Sequence, residues 1–370
     1  MPSRDRGPAA GPGAAPSVTA MPHSDTAPAV RPPLHRRPPL HVGLFAHLAE
    51  HRGTVEQTYL DYLDLFEFSE SVGVESAWVR QFHLAKPDAG RLGGLPSPFV
   101  FLGVLAARTS TLRLGTAAIT LPLERELRVA EDAAVLDVLS DGRVELGLAN
   151  GGQPQVAAAL GVPRIDDREQ SRRAYLEAVD RVAAALRSEP VSPDGEVLAP
   201  ARPPLAERIW HATLTEHSAF ETGRRGEGVL IGTTQVVPAE VSAAAYHRGL
   251  REGAAPRLGL STWIFPGRSR EDALRRAEPG LLAKWQWAKD FLPAADTPAD
   301  VAERLNLHYG TAADIAASIA QHPAFAYTTH VQLQLDGLYR DVEEQKEALA
   351  LFTGEIAPQL ASADRTAVAA

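Results

Sequence analysis

Four short stretches of this chain carry residues whose types and spacing could do chemistry. His83 ends the run Trp78-Val79-Arg80-Gln81-Phe82-His83. An imidazole titrates near neutral pH and can carry a proton to or from a reacting group, although a loop histidine bonded to backbone has the same appearance in sequence. Asn150-Gly151-Gly152 closes an apolar run. Its glycines let backbone approach a ligand closely, and equally let the chain turn. Thr213, Thr215 and Ser218 stand where a loop enters a helix, so unpaired amides and the helix dipole favour an anion there. The same hydroxyls would serve as ordinary N-caps. Ala117-Ala118, on a predicted buried strand, say only that something packs close.

The elements that must position these residues centre on Leu112 to Gly152. A strand from Leu112 to Ile119, a Leu-Pro break, an amphipathic helix, a Ser-Asp-Gly-Arg turn and a second strand make one βαβ unit, with parallel strands and a right-handed crossover. Further strands are predicted at His41 to Ala46, Ser76 to Val79, Ile209 to Thr213, Gly228 to Gly232, Arg257 to Phe265 and His330 to Leu335. Helices are predicted at Val55 to Val72, Pro98 to Arg108, Asp166 to Leu186, Ser269 to Lys289 and Val342 to Ile356. Strand and helix alternate about eight times, which favours an α/β fold of the (β/α)8 TIM barrel type over a six-stranded dinucleotide-binding sheet. No Gly-x-Gly-x-x-Gly follows the first strand. In such a barrel the carboxyl ends of the strands face the active site, which is where His83 and Asn150 fall.

Three strings within the central unit, GTAAITLP, VAEDAAVLDVLSDGR and LGLANGG, resemble the bacterial-luciferase-like flavin-dependent monooxygenases. The resemblance implies a (β/α)8 barrel using reduced FMN and dioxygen to oxygenate a small organic substrate. A deazaflavin-dependent hydride transfer and a non-catalytic flavin-binding partner subunit are the alternatives within the same fold. It implies a non-prolyl cis peptide at Ala117-Ala118 behind the flavin ring, with Asn150 and Gly151 at the pyrimidine edge or ribityl chain. TLTEHSAFETGRRGEG resembles the family's flavin-phosphate segment and gives Thr213, Thr215 and Ser218 as phosphate ligands. His83 matches the second histidine of the family's Trp-x-x-Glu-His-His, while Gln81 and Phe82 replace the glutamate and the first histidine. That departure speaks against luciferase-type base chemistry and leaves His83 as the catalytic candidate. A separate flavin reductase and a homodimer are further implications.

Composition narrows the partners. A net charge of -9 with scattered acids offers no basic stripe for nucleic acid or an anionic membrane, and no cysteine is present for a disulfide or thiolate. The histidines at 211, 217, 308 and 330 are too scattered to specify a metal set. No apolar run approaches the roughly 18 residues of a membrane span, so a cytoplasmic protein is expected. Residues 1–39 are rich in Pro and Ala and are expected to be a disordered extension, with Met21 a second possible start. Residues 40–360 are expected to form the barrel and 361–370 a tail. Glu131 and Arg143 read as structural, and Trp210, Trp263, Trp285 and Trp287 as core or pocket lining.

Overall fold

The computed structural model of the chain describes residues 40–48, 54–84, 94–151, 154–213, 215–232, 237–289 and 292–362. The N-terminal extension, most of the Lys86 to Ser97 loop, Gly152 and the last eight residues lie outside them. Ten strands are described: β1 (His41–Ala46), β2 (Ser76–Val79), β3 (Arg113–Thr116), β4 (Ile119–Thr120), β5 (Val144–Ala149), β6 (Ile209–Ala212), β7 (Gly228–Ile231), β8 (Leu258–Pro266), β9 (Leu307–Gly310) and β10 (His330–Gln334). The helices are α1 (Val55–Ser71), α2 (Pro98–Arg108), α3 (Glu126–Leu139), α4 (Pro154–Ala159), α5 (Arg168–Leu186), α6 (Pro203–Ala206), α7 (Glu216–Arg225), α8 (Ala239–Gly249), α9 (Arg270–Ala288), α10 (Pro298–Arg304), α11 (Ala312–Gln321), α12 (Val342–Leu351) and α13 (Ala357–Ser362).

The strands pair in parallel in the order β1, β2, β3, β5, β6, β7, β8, β10, and β10 returns to β1. This is a closed eight-stranded parallel barrel wrapped by helices. β4 continues the path of β3 alongside β5, and β9 adds to the projecting end of β8 outside the ring.

The barrel interior is filled by a layer in which large and small side chains alternate. Phe45 pairs with Trp78, Trp78 with Gly115, Gly147 with Trp210, and Trp210 with Gly228. The two indoles meet edge to face at 5.3 Å. Their breadth requires glycine beside them: a Cβ on Gly115 would stand 2.2 Å from the Trp78 ring, and one on Gly228 2.4 Å from Trp210. This layer closes the barrel from below and leaves its carboxyl-terminal rim as the place where a ligand can sit.

Outside the ring, the charged groups around α3 act as fasteners. Arg143 donates to the carbonyls of Ser140, Leu112, Ala106 and Thr109 and to the Thr109 hydroxyl. Asp137, fully buried, accepts from Arg202, Arg208 and the Val144 amide. Glu131 pairs with Arg128 on the outer face. Helices α1, α5, α7, α9 and α12 start on side-chain caps, and Thr311 with Asp314 forms a full capping box at α11.

Two details differ from the sequence reading. The strand expected from Leu112 to Ile119 breaks into β3 and β4, with a cis peptide between Ala117 and Ala118 at the break. α8 was not anticipated, because it buries mainly alanines (Ala239, Ala243, Ala245) and one large residue, Tyr246, which leaves little contrast for a periodicity to show.

Candidate functional site at the barrel rim

Alternation along a strand puts every second residue inside the barrel. Two positions above the filled layer, the rim carries His47 after Phe45, Arg80 after Trp78 and Ala117 after Gly115. The rim therefore divides into two sides with different chemistry.

One side is a cavity of about 180 Å3 at the carboxyl ends of β5 and β6, walled by α5 and α7. Asn150, Gly151, Thr213, Thr215 and Ser218, five of the eight predicted site residues, line it together. Arg172, Tyr175, His211, Glu221 and Thr222 complete the polar lining. Thr215 is the N-cap of α7: its hydroxyl oxygen accepts from the Ser218 amide at 3.2 Å, and its O–H donates to the Ser218 Oγ at 2.9 Å. The Thr213 Oγ1 accepts from the Thr215 amide at 3.3 Å. The same hydroxyls thus cap or brace the start of α7 and line the cavity. Arg172 projects from α5 and is held by Glu169 one turn earlier, at 2.6 Å.

Behind this wall runs a buried relay. The Tyr175 hydroxyl lies 2.8 Å from His211 Nδ1, His211 Nε2 lies 2.6 Å from Glu227, and Arg225 donates to the same carboxylate at 2.5 Å. Burial alone would raise the Glu227 pKa, but the hydrogen bonds and charges of His211 and Arg225 outweigh it and hold the carboxyl down to about 2. Burial pushes the Tyr175 phenol up. The relay therefore presents a neutral phenol to the cavity in a fixed orientation.

The other side surrounds β1. The His47 Nδ1 lies 3.2 Å from the Gln334 amide nitrogen, and its ring meets Phe45 edge to face at 4.9 Å. Burial first, then the nearby charges of Arg80 and Lys284, keep the His47 pKa well below its ordinary value. A neutral imidazole accepting from the amide at Nδ1 carries its proton on Nε2.

The remaining predicted residues fall between these sides. Ala117 packs on the Trp78, Trp210 and Leu230 cluster, and Ala118 is buried above it. His83 is half-buried, with Nε2 enclosed and without a hydrogen-bond partner among the described residues. Gln81 is a staple: it donates to Glu124 at 2.7 Å and accepts from the Thr120 amide at 2.8 Å, tying the end of β2 to β4. Trp210 and Trp263 are buried, and Trp285 is partly buried against the core. The Trp287 side chain lies outside the described residues. Among the described residues no group of three or more His, Asp or Glu side chains could hold a metal ion.

Sequence reasoning missed Arg172, Tyr175, His47, Arg80 and Lys284. For His47 and Arg80 the signal was present: each stands two residues after a large aromatic at a strand end, on the same face. Arg172 and Lys284 sit on long helices among other charges, and no local pattern marks them.

A family model described as luciferase-like monooxygenase matches residues 39–348. An uncharacterised protein of Sinorhizobium fredii is 31% identical over 67% of this chain and 73% of its own length. The 4-hydroxyprotoasukamycin monooxygenase of Streptomyces nodosus subsp. asukaensis is 32% identical over 62% of this chain, which spans 52% of that protein. The oxygenase component of the flavin-dependent trigonelline monooxygenase of Acinetobacter baylyi is 29% identical over 29% of each chain. Among solved structures, the oxygenating constituent of the Pseudomonas putida 3,6-diketocamphane monooxygenase, in complex with FMN, superposes with a TM-score of 0.70 at 18% identity, covering 86% of this chain and 98% of that one. An F420-dependent secondary alcohol dehydrogenase superposes with a TM-score of 0.64 at 18% identity, covering 87% and 99%.

Proposed function

The chain belongs to the luciferase-like monooxygenase family, and on that premise we propose that it is an oxygenase component that binds reduced FMN and oxygenates a small organic substrate with dioxygen. The observation that carries this reading is the cavity on β5 and β6, where three hydroxyls, the amino end of α7 and Arg172 converge on one small volume. That donor set suits a phosphate monoester. Thr213, Thr215, Ser218 and Arg172 would hold the phosphate, and Asn150 and Gly151 the ribityl chain or the pyrimidine edge. Ala117 and Ala118 present only methyl groups where a flat ring has to lie.

When bound, the reduced flavin supplies the electrons that activate oxygen. The chain orients it, excludes water through the packed layer beneath, and handles protons. His83 is the proposed proton carrier, since its enclosed Nε2 has no partner among the described residues. A separate reductase delivers the flavin in this reading, as the two-component naming of the trigonelline relative suggests. The cytoplasm is the compartment proposed. Among the described residues no helix is long and apolar enough to cross a membrane.

The test is a pair of titrations followed by turnover. FMN should quench and bind while the deazaflavin F420 does not, and the chain with a flavin reductase should then insert an oxygen atom from O2 into a library substrate. Binding of F420 alone would transfer the reading to hydride transfer. Oxygenation by no substrate, with FMN bound, would leave a flavin-binding partner subunit.

A homodimer is proposed through α2 and α3, whose outer faces leave Val100, Val104, Val138 and Leu139 exposed, Val100 by 72% and Leu139 by 73%. Apolar exposure of this kind on adjacent helices suits a second copy of the same surface. Leu139→Asp should convert the sedimenting species from dimer to monomer.

A further inference from the structure

The side of the rim centred on β1 holds two cations, Lys284 and Arg80, that no carboxylate among the described residues pairs with directly. Lys284 reaches in from α9 and sets its ammonium 4.4 Å from the centre of the Trp263 ring. Arg80 extends from the end of β2 with its guanidinium 5.4 Å from the centre of the Phe82 ring. Among the described residues neither cation has a carboxylate in salt-bridge contact. Asp336, the carboxylate whose charge reaches Lys284, is already engaged by the Tyr62 hydroxyl and by the His47 amide at 3.0 Å. The indole N–H of Trp263, a residue only 4% exposed, also lacks an acceptor among the described residues.

Among the described residues, two half-buried cations without a carboxylate partner, one after β2 and one on α9, and a buried indole N–H without an acceptor on β8 together favour an anion. Burial lowers the pKa of both cations, so each is held where water does not fully solvate it. His47 is near enough to feel both charges. The flavin phosphate does not fill this need, because its proposed ligands belong to α5, α7 and the end of β6, and β6 stands across the ring from β1.

We infer that this side of the rim binds the carboxylate of an anionic organic substrate, with Arg80 and Lys284 as its specificity-determining residues and the Trp263 N–H as a neutral donor beside them. The inference rests on the flavin reading of the opposite side. A carboxylate here accepts from a planar guanidinium, a point-charge ammonium and an indole, and leaves the rest of the substrate free to extend over the barrel mouth. An uncharged substrate of the same shape would leave the two cations unpaired, so the site discriminates by penalty as well as by attraction.

The experiment is isothermal titration of the FMN-loaded chain with three matched pairs: benzoate and benzamide, cinnamate and cinnamamide, decanoate and decanamide. At least one acid should bind about ten-fold or more tightly than its amide. The double variant Arg80→Gln, Lys284→Gln should abolish that preference while the FMN dissociation constant stays within about two-fold, as expected of residues remote from the phosphate. Should the double variant not fold, each single variant carries the same test, with a preference reduced by about three-fold or more. Equal binding of acid and amide in every pair would overturn the inference, as would a preference that survives the substitutions. Loss of FMN affinity in step with the substitutions would give the cations to the flavin and overturn it too. If FMN itself does not bind, titrating the flavin-free chain separates the two readings, since a preference for acids there sustains the anion site alone.

Discussion

The two sides of the rim solve the problem of a buried polar surface in opposite ways. Around α7 every predicted hydroxyl has a partner within the protein, Thr213 with the Thr215 backbone and Thr215 with Ser218, and Arg172 pairs with Glu169. Around β1, among the described residues, the Trp263 N–H has no acceptor and the two cations have ring contacts but no carboxylate partner. The hydroxyl side is satisfied as it stands and, in the proposed reading, would exchange weak internal bonds for a ligand. The cationic side carries an unmet demand. Affinity on the first should therefore come from many small terms, and selectivity on the second from a few large ones.

The layer beneath both sides offers the strongest way to break that division. Trp210 is fully buried, meets Trp78 edge to face and donates to Glu145 at 2.6 Å. Trp210→Ala should cost about 3–5 kcal/mol of stability, read from denaturant midpoints. FMN binding and acid-over-amide preference should fall together. If one survived intact, the two sides would not share a floor.

Substitutions on the hydroxyl side should separate the two functions. Arg172→Ala should weaken FMN binding by about 1.5–3 kcal/mol, the range for a charge-assisted bond, with acid preference unchanged. Ser218→Ala should act in the same direction and leave thermal stability alone. An unaltered FMN dissociation constant in both would remove the phosphate from this cavity. Thr215→Ala sharpens the comparison further. As an N-cap it should lose about 1 kcal/mol of stability without any ligand, in addition to its effect on FMN.

The same contrast explains what could be read from the chain. The hydroxyl side was legible because its residues lie within one loop and one helix start, Thr213 to Ser218, so local spacing and a family motif both point to it. The barrel was legible because strand and helix signals alternate along the chain. The cationic side brings together residues 47, 80, 263 and 284, which only closure of the ring makes neighbours. Their shared face could be inferred for His47 and Arg80 from strand parity, but Lys284 belongs to a helix outside the ring. The break at Ala117-Ala118 came from resemblance alone, since two alanines fit a continuous strand equally well.

His47 reports on the cationic side without any ligand. Its folded pKa lies well below the ordinary 6.5, from burial first and then from Arg80 and Lys284. As pH falls through 6.5, an unfolded chain takes up this proton and the folded one does not. Stability therefore rises with pH between the folded pKa and 6.5, and the contribution is flat above that window. Arg80→Gln removes one of the two charges, so the His47 pKa should move up toward 6.5, seen in the imidazole 15N shifts across a pH series. The stability lost between pH 7 and pH 5 should shrink accordingly, by a fraction of the limiting slope of about 1.4 kcal/mol per pH unit. Burial is the larger cause and remains, so the pKa should stop short of 6.5. A His47 resonance that does not move would mean that Arg80 points away from the rim, and the division between the two sides would lose its electrostatic half.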